Sequence, residues 1–217
     1  MLLPGDPGRA LRLAQQLVVE LPPRMLNHNR GLWGYTGIAA DGELLTIQST
    51  GMGGPSAAIV VEELIGLGAR RLVRVGTCGA LVGDLALGEL VVADRVLATD
   101  GTSAALRAPG ELTPDPVLFE ALKRAHPAAR AAAVVSTDLF YDPEPTRPTG
   151  WTQAGATVVE MEAAAVFAVA ARHGATAACI LAVTDLLAGG TRRRIDPDAL
   201  AEAEEALGRA GATALGA

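Results

Sequence analysis

The sequence predicts an α/β fold, a three-layer α/β/α sandwich around a mixed, mainly parallel sheet. Short apolar runs rich in β-formers alternate along the chain with segments of helical periodicity, and no internal repeat divides that alternation. Composition agrees: 217 residues, 50% hydrophobic and 19% charged, suffice for one domain, residues 1–217, with a substantial core.

Taken in order, a first helix follows Pro7, with proline at a position that lacks a hydrogen-bond partner anyway. Leu44–Ile47 reads as a strand. Pro55–Leu67 is the clearest helix: Ala57, Val60, Val61, Leu64 and Ile65 share a face, and Gly68 stops it. Leu72–Val75, Leu90–Val92, Ala132–Val135 and Thr157–Val159 follow as strands. From Glu162 to His173 a helix contains Ala163–Ala171, apolar on every face and therefore buried. Ala178–Val183 is the last strand, and an Ala/Glu-rich helix follows Pro197. The Gly/Pro-rich stretches Gly101–Pro116 and Asp142–Gly150 read as surface loops.

Charge and length exclude several classes. With 18 Lys+Arg against 24 Asp+Glu the net charge is -6, which gives no general attraction to nucleic acid or anionic lipid. The apolar run Ala163–Ala171 falls well short of the roughly 20 residues of a membrane span, and no basic leader precedes an apolar stretch at the start. A cytoplasmic protein is expected. Cys78 and Cys179 have no metal-ligand spacing and no further partners, so both read as buried, reduced thiols, and no metal is expected.

Three segments put glycines where a strand ends or a helix begins: Pro4–Arg9, Thr50–Ser56 and Arg74–Gly79. Such strand ends are where ligands bind in open α/β sheets. Gly5 and its neighbours can aim free N–H groups at an anion, with Arg9 adding a planar fork. Arg74 and Thr77 flank Gly76, and Arg74 lies inside an apolar run, where an unpaired charge is costly. Gly51-x-Gly53-x-x-Ser56 fails as a dinucleotide fingerprint, because the third glycine is missing and arginines stand where the ribose acid belongs. No Gly-Lys-Ser/Thr completes a P-loop.

Two acids, Glu160 and Glu162, close an apolar strand just before the buried helix. Singly, each reads equally well as a helix cap; together they suit a ligand with paired hydroxyls, since a carboxylate accepts two hydrogen bonds side by side. Asp185 ends the run Cys179–Thr184 and precedes Leu186, Leu187 and the Gly189–Gly190 pair. Among leucines a carboxyl group keeps its proton, as an acid working near neutral pH must.

The stretches PGDPGRA, NRGLWGYTG, STGMGGPSAAIVVEEL, RVGTCGA, STDLFY, VVEMEAAAVF and AVTD occur in this order between residues 4 and 185. In content and order the chain resembles the purine nucleoside and uridine phosphorylase family of the bacterial hexameric type, with its phosphorylase/hydrolase-like sheet. The resemblance implies phosphorolysis of a purine nucleoside, with inorganic phosphate as co-substrate and no cofactor. By motif, Gly5, Arg9, Arg74 and Thr77 would hold phosphate, joined by Arg30 from a neighbouring subunit of a homo-oligomer. Met52, Phe140, Glu160, Met161 and Glu162 would surround the nucleoside, with Met161 on the sugar and Glu162 on its 2′ and 3′ hydroxyls. Asp185 would protonate N7 of the base, assisted by one of Arg192, Arg193 and Arg194. A uridine phosphorylase ranks second, since uridine enzymes lack an acid at the position of Asp185. Then come a methylthioadenosine or adenosylhomocysteine nucleosidase, disfavoured by the three arginines, and a non-catalytic nucleoside-binding relative.

Overall fold

The computed structural model describes residues 1–19, 22–188 and 192–216. Gly189 and Gly190, read above as a turn after Asp185, lie outside the described residues. In chain order the elements are β1 (Leu2–Leu3), α1 (Pro7–Leu17), β2 (Arg24–Asn27), β3 (Gly34–Ile38), β4 (Leu44–Gln48), α2 (Gly54–Gly66), β5 (Arg71–Ala80), β6 (Leu90–Ala98) and α3 (Gly101–Ala105). Then follow β7 (Glu111–Leu112), α4 (Pro116–Ala125), β8 (Arg130–Ser136), α5 (Arg147–Gln153), β9 (Val158–Glu160), α6 (Ala163–Arg172), β10 (Thr176–Leu186), β11 (Arg193–Arg194) and α7 (Pro197–Leu215).

All six predicted strands form; α2 and α6 start and stop within about one residue of the expected Pro55–Leu67 and Glu162–His173, and α1 and α7 begin at Pro7 and Pro197. The two stretches read as loops are partly structured. Asp100 accepts a hydrogen bond from the Ser103 amide (2.8 Å) and starts α3; Asp115 accepts one from the Leu118 amide (2.9 Å) and starts α4 at Pro116. These caps outweigh the glycine and proline content. From Arg147 the second stretch is helix α5.

The sheet is mixed, and its two longest ladders, β5 with β10 and β6 with β8, are parallel. Strand β5 has two edges and three partners. Parallel β10 runs along one edge; on the other, β1 pairs at Val73 and Arg74, and antiparallel β9 pairs at Gly79 and Ala80. Between those contacts that edge is vacated over Val75–Cys78. The pairings β5–β10–β6–β8–β9–β5 close a ring, from which β1, β4, β3 and β2 extend as an arm. The split in β5's edge is the kind of switch point at which α/β sheets bind ligands.

Helices cover both faces. One core joins Leu72, Val91, Leu181 and Val183 of the sheet to Val61 and Leu64 of α2 and the wholly buried Ala163–Ala170 of α6. The other joins Val73, Val75, Val92 and Ile180 to Leu13 of α1, Leu118 and Leu122 of α4 and Leu207 of α7. Both cysteines are buried and unbridged, and burial pushes their thiols up from the usual range. Among the described residues no helix is long and apolar enough to cross a membrane.

Helix α7 packs close because it lacks side chains at its contacts: a Cβ on Gly208 would stand 2.2 Å from Leu13, and one on Gly211 2.8 Å from Leu2. Since Leu13 is itself 1% exposed, it has little room to yield. Gly208→Val is therefore expected to destabilise the fold by about 1–3 kcal/mol through overpacking. Urea unfolding of the two proteins measures the difference.

Candidate active site

Three chain features aim side chains at the split sheet. Strand β5 carries Arg74 and Thr77 past it; β9 ends at Glu160 and leads through Met161 and Glu162 into α6; β10 carries Asp185 next to its last residue. The β10 register shifts between Val183 and Asp185, a bulge that re-aims the strand end. The first turn of α1, capped by Asp6 through the Arg9 amide (2.6 Å), closes one side.

A cavity of about 790 Å³ fills this space, within the size range of small-molecule sites. Its wall includes every residue singled out from the sequence: Gly5, Arg9, Arg30, Met52, Arg74, Thr77, Phe140, Glu160, Met161, Glu162 and Asp185. Met52 and Phe140 stand exposed at the mouth. Arg30 is exposed too, on a single 3-10 turn (Asn29–Gly31), with φ 57° in the left-handed region that side chains disfavour. It lines the cavity of its own chain.

Arg74 is 3% exposed and occupies the floor. Its Nε donates to Glu160 Oε2 (2.9 Å) and its Nη2 to Glu162 Oε2 (2.5 Å), while buried Nη1 has no partner among the described residues. Glu160 also accepts from the Ser136 hydroxyl, from the Glu162 amide (2.8 Å) and from the Ala163 amide (2.9 Å), so its oxygens are occupied within the protein. Burial pushes its carboxyl upward, opposed by Arg74 and these donors and assisted by the charge of Glu162. Glu162 receives the Gly53 amide at Oε1 (2.6 Å) and keeps free lone pairs toward the cavity. Of the two acids, Glu162 is the one able to serve a ligand.

Arg9, also buried, meets Glu204 of α7: Nε and Nη2 lie 2.9 and 2.8 Å from Oε1. Asp185 is held by the Thr184 hydroxyl (2.9 Å) and Arg192 Nε (2.7 Å). The leucine setting expected for Asp185 is thus replaced by a cation on one oxygen. Arg192 Cζ also lies 5.0 Å from the Phe140 ring centroid, while Arg193 and Arg194 form the exposed strand β11. Among the three arginines, the acid's companion is Arg192.

Ser136 and Glu204 complete the site beyond the residues singled out from the sequence. Ser136 opens the STDLFY motif and had a visible signal. Glu204 had none, because an Ala/Glu-rich helix displays many equivalent acids.

Buried guanidinium groups, a carboxylate beside them with lone pairs to spare and a second acid paired with Arg192 line one cavity, and that layout defines a class: an enzyme that brings an anion to a sugar. The chain belongs to the Phosphorylase superfamily, whose pattern matches residues 1–216. It is 36% identical over 198 residues to a purine nucleoside phosphorylase DeoD-type of Caldanaerobacter subterraneus subsp. tengcongensis, spanning 88% of this chain and 84% of the relative. A relative of the same designation from Alkaliphilus metalliredigens is 36% identical over 199 residues, 88% of this chain and 84% of its own. A guanosine phosphorylase of Halorubrum lacusprofundi is 37% identical over 205 residues, with 91% and 82% covered.

Removing Arg74 strands two buried carboxylates. Arg74→Met is expected to cost about 3–5 kcal/mol at neutral pH. A carboxyl raised on folding contributes stability that is present at low pH and lost as pH rises through its folded value. The deficit of Arg74→Met should accordingly shrink between pH 7.5 and pH 5, measured by urea unfolding at each.

Proposed function

We propose that this chain is a purine nucleoside phosphorylase, a pentosyltransferase that cleaves the N-glycosidic bond of purine ribo- or deoxyribonucleosides with inorganic phosphate. The observation that carries the reading is Arg74, which lines the same cavity as Arg9, Glu162 and the Asp185–Arg192 pair and whose buried Nη1 has no partner among the described residues. A buried donor without an acceptor fits a site completed by an anion.

In the reaction, a phosphate oxygen held by Gly5, Arg9, Arg74 and Thr77 attacks C1′. The C1′–N9 bond breaks, its electron pair moves into the imidazole ring, and N7 takes the proton of Asp185, so the base leaves neutral. Arg192 stabilises the carboxylate left behind. Glu162 binds the 2′ and 3′ hydroxyls and Met161 packs on the sugar, which keeps C1′ in line with the nucleophile. Phe140 and Met52 border the base and the mouth. Glu160 holds Arg74 in place.

Three arginines around the cavity favour phosphorolysis over hydrolysis, and an acid paired with Arg192 favours a purine over uracil. The two helix-covered cores support an α/β/α sandwich forming one domain over residues 1–217. The reading also implies a cytoplasmic enzyme of purine salvage, acting as a homohexamer in which Arg30 serves a neighbour's phosphate. The exposed, left-handed turn that carries Arg30 supports that last role.

Base release from inosine, adenosine, guanosine and uridine, each with and without phosphate, tests the function. Cleavage of a purine nucleoside only with phosphate is expected, and phosphate-independent or uridine-only cleavage refutes it. Asp185→Asn should lower the purine rate by about 10²–10⁴-fold. Mixing inactive Arg30→Ala and Asp185→Asn chains through unfolding and joint refolding should restore activity if sites are shared between subunits, and leave none if each chain uses its own Arg30.

A further inference from the structure

Arg9 reaches the cavity from the first turn of α1, and its guanidinium is not loose there. One carboxylate oxygen of Glu204 takes both Nε and Nη2, at 2.9 and 2.8 Å, across 195 residues of sequence. That leaves Nη1 as the terminus Glu204 does not take, on a residue that lines the cavity. Glu204 is 4% exposed, and its other oxygen meets Arg12, whose side chain is 51% exposed and stands outside the cavity wall.

A buried ion pair is a weak means of stabilising a fold, since apolar residues of similar size do as well. What it does here is fix direction. Without Glu204, Arg9 shares a cavity with Glu160 and Glu162, and a guanidinium free to turn would pair with such a carboxylate. Arg12 solves a second problem: Glu204 alone would neutralise Arg9, and Asp6, which caps the same turn and lines the cavity, would tip this end negative, whereas Arg12 balances the two acids. At Arg74 two acids face one arginine, a balance less favourable to an anion than that of the Arg9 end.

We infer that Glu204 and Arg12 are positioning residues for phosphate: Glu204 orients Arg9 toward it, and Arg12 offsets the acids of that end without touching it. The inference rests on the phosphorylase reading above.

The test is steady-state kinetics with phosphate and nucleoside varied separately. Glu204→Leu is expected to raise the KM for phosphate tenfold or more and to leave the nucleoside KM within twofold, with Glu204→Gln, which keeps an acceptor for Arg9, recovering most of the loss. Arg12→Gln, on the exposed side and safe for folding, should raise the phosphate KM two- to fivefold, an effect that added salt diminishes. A phosphate KM within twofold of the unaltered protein in Arg12→Gln, or in a folded Glu204→Leu, overturns the inference while phosphorolysis stands. Phosphate-independent turnover by the unaltered protein overturns the reading beneath it, and the inference with it.

Discussion

The site is organised by a buried guanidinium between two carboxylates. Arg74 lines the cavity beside the stretch of β5 whose edge is unpaired between its contacts with β1 and β9. Its charge is tolerable there because Glu160 and Glu162 sit at the start of α6, and the triad's surplus negative charge is met by backbone donors of Gly53, Glu162 and Ala163. The positive end of a helix adds to the same balance. Each member therefore depends on the others: the arginine permits two acids, and the acids anchor the turn into a helix whose every face is apolar.

The cavity carries different charge balances near Arg74 and near Arg9. Around Arg74 acids outnumber the cation; around Arg9, Glu204 and Asp6 are matched by Arg9 and Arg12. Arg192 also joins Asp185 to the ring of Phe140, so one residue links that acid to the cavity mouth. Such fixed charges need no reorganisation when charge develops in the transition state.

Much of this was legible locally. The apolar run Leu72–Val75 around Arg74 announced a buried charge needing partners, and Glu160 and Glu162 at a strand end supplied candidates. Less visible were α3 and α4, because Asp100 and Asp115 act through side-chain caps that a count of glycines and prolines hides. In the sheet arm β4 was legible as Leu44–Ile47 but its neighbour was not: β3, Gly-Tyr-Thr-Gly-Ile, has little apolar alternation and is held by its antiparallel ladder with β4.

By itself, the sequence determined the succession of strands and helices, the buried character of α6 and the residues gathered at strand ends, since periodicity, capping and burial of charge act over a few residues. Tertiary structure alone decided which charges meet. That Arg9 finds Glu204, that Arg192 and not its two neighbours finds Asp185, and that Glu160 is occupied while Glu162 keeps free lone pairs all depend on strand order and helix packing. Those contacts join residues far apart in the chain or choose among equivalent neighbours, and no local pattern encodes either.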